Sequence, residues 1–174
     1  AEVPSMGRIS RDKAILESLV ESAADFANQI QRSKIPAELD GLLPTARRAA
    51  RDFIDTAELS LSVARTRASL SPVADESVAA RLTGFRIKVG DLVQATVDQQ
   101  GDSSLPPDAL LRDIKADYAE LKDLLVYSAQ EEQLSLGTMV DRLDLIRDLY
   151  SIAVQCESAS RRLLSIDETE ANLH

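Results

Sequence analysis

Carboxylates spaced three and four residues apart recur on three stretches of this chain. Stacked carboxylate oxygens are the ligands that Mg²⁺, Ca²⁺, Mn²⁺ and iron accept. The clearest run is DRLDLIRDLYSIAVQCESASRRLL, residues 141–164, which sets Asp141, Asp144 and Asp148 along one helix edge. Asp144 and Asp148 stand one turn apart, where like charges repel by roughly a few tenths of a kcal/mol. Two explanations fit. Arg142 and Arg147 form ordinary surface pairs with them, or the two carboxylates hold a metal ion with help from a carboxylate on another helix. DIKADYAEL repeats the spacing at Asp113 and Asp117, with Glu120 beyond, and RDFIDTAEL places Asp52, Asp55 and Glu58 at intervals of three.

Other site chemistry is poorly supplied. The single His, His174, is the last residue, which argues against Ser-His-Asp and Cys-His catalysis and against the Glu-x-x-His ligands of di-iron bundles. TGFRIKVGD has two glycines but no Gly-Lys-Ser/Thr, so it is no phosphate loop. A carboxylate-only di-metal enzyme would need several inward acidic residues on facing helices, whereas these lie on polar edges. No enzyme activity is expected. Arg47 and Arg48, or Arg161 and Arg162, offer paired cations to an anion, but such pairs on helices are ordinarily solvated. Cys156 is the only cysteine, so no internal disulfide forms, and a small buried hydrophobe is its expected role.

The elements that position these residues are helices. Across 174 residues, 44% are apolar, there is no Trp, and six Gly and six Pro fall mostly between periodic stretches. Five segments follow from period and punctuation: 11–32, 42–70, 71–100, 107–131 and 136–165. Ile15, Leu19, Ala23, Phe26 and Ile30 form the first apolar stripe. Ala46, Ala50, Phe53, Ala57, Leu61 and Ala64 form the second, behind Pro44 in the first turn. The third opens at Ser71-Pro72 and turns Val78, Leu82, Phe85, Val89, Leu92 and Val93 inward, with Gly84 and Gly90 inviting a bend or a close approach. Leu111, Ile114, Tyr118, Leu121 and Leu125 give the fourth a coiled-coil-like seam. Ser135 caps the fifth, on which Met139, Leu143, Ile146, Tyr150 and Ala153 lie mid-face. Leu145, Leu149, Ile152 and Cys156 extend that face one way and Val140 and Val154 the other, so this helix should be central.

The expected fold is all-α, an up-and-down antiparallel bundle of four to five long helices. It forms a single domain over 11–166, between a flexible N-terminal segment, 1–10, and a flexible acidic tail, 167–174. Twenty basic residues against twenty-nine acidic ones give net charge −9, which disfavours nucleic acid and anionic membranes as partners. Apolar runs of a few residues fall far short of the roughly 20 that cross a bilayer, so membrane insertion of this segment is not expected.

RLDLIRDLYSIA, from Arg142 to Ala153, resembles, after contraction, the signature Arg-x-Leu-Glu-Arg-Ile-Gly-Asp-x-x-x-x-Ile-Ala of phosphate-uptake regulators of the PhoU type. Asp144 falls at the family's Glu, Asp148 at its Asp and Ile152-Ala153 at its Ile-Ala. Residues 117–164 are also similar to the PhoU-like C-terminal region of bacterial sodium/phosphate cotransporter proteins. Arg147 stands where the family usually has Gly, and Leu149 replaces a frequent His. The resemblance implies a non-enzymatic regulatory domain linked to phosphate transport, acting by protein contact at the cytoplasmic face of the inner membrane. Its partners would be a membrane phosphate transporter or the membrane portion of its own longer chain. It further implies divalent or iron metal binding at Asp144 and Asp148, with Asp113 and Asp117 sharing the spacing.

A second reading stays open. The start AEVPSMGRIS suits either the cut edge of a longer chain or the end left by signal-peptide cleavage. The latter makes the protein a periplasmic helical-bundle sensor or small-ligand binder. A homodimer is compatible with both, through Leu16, Val20 and the Leu42-Leu43 pair.

Overall fold

The computed structural model describes residues 42–70, 75–97 and 106–171, without the side chains of 167–171, and positions 7, 10, 11, 13–15, 17, 18, 21, 22 and 25 of an N-terminal helical stretch. It is an all-α bundle with no strand among the described residues. Four helices carry it: α1 (Leu42–Ser69), α2 (Glu76–Val97), α3 (Pro107–Gln130) and α4 (Leu136–Ala171).

Local chemistry sets the ends. Pro44 sits in the first turn of α1, where its missing N–H costs no hydrogen bond, and Arg67 in the last turn meets the negative end of the helix dipole. Helix α2 begins at Glu76 behind an Asp75 cap, not at the expected Ser71-Pro72. The Asp75 carboxylate accepts from the N–H groups of Ser77 (2.8 Å) and Val78 (3.2 Å), and residues 71–74 lie outside the described ones. Pro107 opens α3 behind an extended Pro106, and Asp108 in that first turn suits the dipole.

The α3–α4 turn is tight. Gln133 N–H returns to the Ser128 carbonyl at 3.0 Å and Glu132 N–H to that of Ala129 at 3.2 Å, a Schellman closure with Glu132 at φ 57°. Ser135 then caps α4 as expected, its Oγ accepting from Thr138 N–H at 3.2 Å. Helix α4 continues beyond the expected end at 165, to Ala171.

Helix α4 is central, touching all three others. Helices α2 and α3 also touch each other, whereas α1 meets only α4 among the four. The main core lies among α2, α3 and α4. Val78, Phe85 and Leu92 meet Ile114, Leu125 and Ile146 there, all at most 1% exposed. One aromatic ring from each helix joins a ladder: Tyr118 stacks on Tyr150 at 4.7 Å between centroids, and Phe85 tilts toward Tyr118 at 6.5 Å. Burying a Leu, Ile, Val or Phe side chain contributes about 1.5–3 kcal/mol, so this cluster dominates stability. Ion pairs Arg81–Glu120 (2.6 Å) and Lys88–Asp117 (2.5 Å) edge the α2–α3 contact and fix it as antiparallel.

Three expected faces turn out differently. On α1 the buried line is Ala49, Ile54 and Leu61, while Ala46 is exposed. The rest of the expected stripe, Ala50, Phe53, Ala57 and Ala64, is half-buried, and polar residues share the contact with α4, which apolar periodicity does not register. Val140 and Val154 of α4 are 46% and 37% exposed, because the third neighbour lies across the polar side of α4 instead. Nothing stands within 4 Å of a Cβ added at Gly84 or Gly90, so neither marks a close approach. Of the first expected stripe, Ile15 is exposed, and Leu19, Ala23, Phe26 and Ile30 lie outside the described residues, as do Leu16 and Val20.

Candidate functional site

The strip on α4 that carries the aspartates is, over most of its length, the surface on which α1 lies. Asp148, Gln155 and Arg162 are spaced by seven, so they share one face of the helix. Each meets a polar residue of α1 in antiparallel order.

Ser62 Oγ donates to Asp148 Oδ2 at 2.8 Å, and Arg147 donates to Asp148 Oδ1 from Nη2 (3.1 Å) and Nε (3.3 Å). The same guanidinium reaches back through Nη1 to Asp144 Oδ1 at 2.8 Å. One cation therefore offsets the repulsion between the two carboxylates. The hydrogen bond to Asp148, with the fields of both aspartates, raises the Arg147 pKa above its ordinary value against a small desolvation. Asp148 is only 8% exposed, whereas the Asp144 side chain is half in solvent.

Toward the middle of the seam, Thr56 Oγ1 donates to the Asp52 carbonyl at 2.8 Å and lies 3.4 Å from Gln155 Oε1 and 4.0 Å from Cys156 Sγ. Burial pushes the Cys156 thiol up, with the Thr56 contact acting in the opposite direction. This is the inert environment of a packed thiol, not that of a nucleophile. At the far end Arg162 pairs with Asp52, and its Nη1 donates to Ser158 Oγ at 2.7 Å.

The remaining acidic residues singled out by spacing are dispersed. Asp117 faces Lys88, Glu120 faces Arg81, Asp55 pairs with Arg51 at 3.0 Å and Glu58 with Lys13 at 2.9 Å. Asp113 lies exposed on α3, and Asp141 is exposed on α4. Asp144 and Asp148 are brought together, Asp113 and Asp117 belong to another helix, and the two sets do not meet. Among the described residues no group of three or more His, Cys, Asp or Glu converges. With Arg147 already seated between Asp144 and Asp148, the donor set as it stands does not fit a hard cation such as Mg²⁺ or Ca²⁺, which takes six or more oxygens. Of the arginine pairs, Arg162 belongs to the seam, Arg161 leans toward Glu157 at 3.7 Å, and Arg47 and Arg48 are exposed.

Ser62 and Thr56 were not legible as site residues, nor Arg162 as the partner of Asp52, since nothing in the sequence says which helix will cover the α4 strip. The seven-residue spacing of Asp148, Gln155 and Arg162 was the available signal, and it marks a helix-contact face. No family model, curated protein or solved structure matches the chain. No helix among the described residues is long and apolar enough to cross a membrane.

Proposed function

We propose that this chain is a non-enzymatic helical interaction domain of the PhoU-like regulatory kind, linked to phosphate transport and acting by helix-mediated contact. The observation that carries the non-enzymatic reading is the engagement of its acidic side chains. Asp52 pairs with Arg162 and Asp117 with Lys88 across helix contacts, Asp148 bonds Ser62 of α1, and half-exposed Asp144 shares Arg147 with Asp148 on α4. Carboxylates so engaged hold helices in register and are poorly placed for proton transfer or metal chemistry.

The phosphate-transport link rests on the Arg142–Ala153 resemblance, which falls on the central helix. Contact surface is available at the α3–α4 hairpin, where Tyr127, Leu136 and Val140 are 58%, 71% and 46% exposed. The partner is a membrane phosphate transporter, or membrane helices of the same longer chain, met at the cytoplasmic face.

Removal of the coding region from its source cell, followed by phosphate-uptake measurements at low and high external phosphate, tests this reading. Altered uptake regulation is expected, restored by the intact chain. Unchanged uptake under both conditions contradicts the phosphate link.

A further inference from the structure

We infer that α1 is a releasable arm, which opens from α4 as a unit while α2, α3 and α4 stay folded. Three observations converge on it. Helix α1 touches only α4 among the four helices, so its departure breaks one interface among them, together with the Lys13–Glu58 ion pair to the N-terminal stretch. Its buried residues, Ala49, Ile54 and Leu61, lie outside the main apolar cluster, against which α1 packs half-buried Leu59 and Val63, with Thr56 beside Cys156.

The third observation is the nature of the interface. Asp148, Gln155 and Arg162 on α4 and Ser62, Thr56 and Asp52 on α1 are groups that water solvates well, so opening exchanges protein hydrogen bonds for water hydrogen bonds. Separating α2, α3 and α4 would instead expose Phe85, Leu92, Ile114, Leu125 and Ile146. Opening α1 exposes fewer buried apolar side chains, Ala49, Ile54 and Leu61, and local openings draw on the units that bury least. Release uncovers the α4 face from Asp148 to Arg162 and leaves the aromatic ladder of Phe85, Tyr118 and Tyr150 intact. This inference does not depend on the phosphate-transport reading, because its test involves no partner.

Native-state hydrogen exchange read by mass spectrometry on the full chain is the test, with peptides from 42–70 compared with peptides from α2, α3 and α4. Amides of α1 should exchange as a block, at least about tenfold faster than the core amides. Ser62→Ala should raise exchange in α1 by about fivefold or more, and in the core by no larger factor, since global opening breaks the same bond. Gly90→Ala, which stiffens α2 without touching the seam, should slow exchange of the core and leave α1 unchanged. The inference is overturned if α1 exchanges together with the core in the parent, if Ser62→Ala leaves exchange of α1 unchanged, or if Gly90→Ala slows α1 as much as α2.

Discussion

Asp144 and Asp148 carry the same charge one turn apart and share Arg147, but only Asp148 is enclosed and only Asp148 is bonded across to α1. Removing a partner from an enclosed, charge-assisted hydrogen bond is costly, whereas half-exposed ion pairs contribute little. Asp148→Ala should therefore lower stability by about 2 kcal/mol, and Asp144→Ala by less than about 0.5 kcal/mol, in urea unfolding. Equal effects would mean that the Ser62 bond is not what holds Asp148. Cys156, enclosed and with its thiol pKa raised, should react with a thiol reagent far more slowly in the native protein than in denaturant. The sequence displayed the aspartate row itself. What it did not display was the covering helix, since Ser62 lies 86 residues from Asp148 and no local pattern links them.

At the scale of elements, the helix ends carry the predictions. Glu132 adopts the left-handed conformation at the Schellman position that closes α3, where glycine is preferred. Glu132→Gly should raise stability by about 1 kcal/mol, measured by the urea midpoint at unchanged slope. Gly84 and Gly90 lie within α2 with open space where a Cβ would stand. Alanine at either should add about 0.4–1 kcal/mol by the same measurement. Helix existence, the Ser135 cap and the seams of α2 and α3 were readable because apolar side chains recur at 3.6-residue spacing there. The start of α2 was misplaced because Ser-Pro and Asp-Glu both signal an N-terminus, and the carboxylate of Asp75 makes the cap. The part of Ser62 and Thr56 in the α1 contact escaped because apolar periodicity does not register polar residues.

Considered whole, the molecule has two kinds of interior. Helices α2, α3 and α4 share an apolar core, while α1 combines a few buried apolar side chains, Ala49, Ile54 and Leu61, with hydrogen bonds and an ion pair to α4. The breadth of the apolar surface on α4 correctly implied a central helix, but its polar strip proved to be a contact face as well. That division bears directly on function, since it commits the carboxylates to holding the bundle together. The most direct measurement is calorimetric titration of the purified chain, and of an Asp144→Asn, Asp148→Asn variant, with Ca²⁺, Mn²⁺ and Fe²⁺, alongside thermal unfolding of both. The result expected is no stoichiometric binding by either protein and a lower melting temperature in the variant, which loses the Arg147 bridge. Stoichiometric binding by the parent, abolished in the variant, would contradict the structural role and make the aspartate pair a metal site.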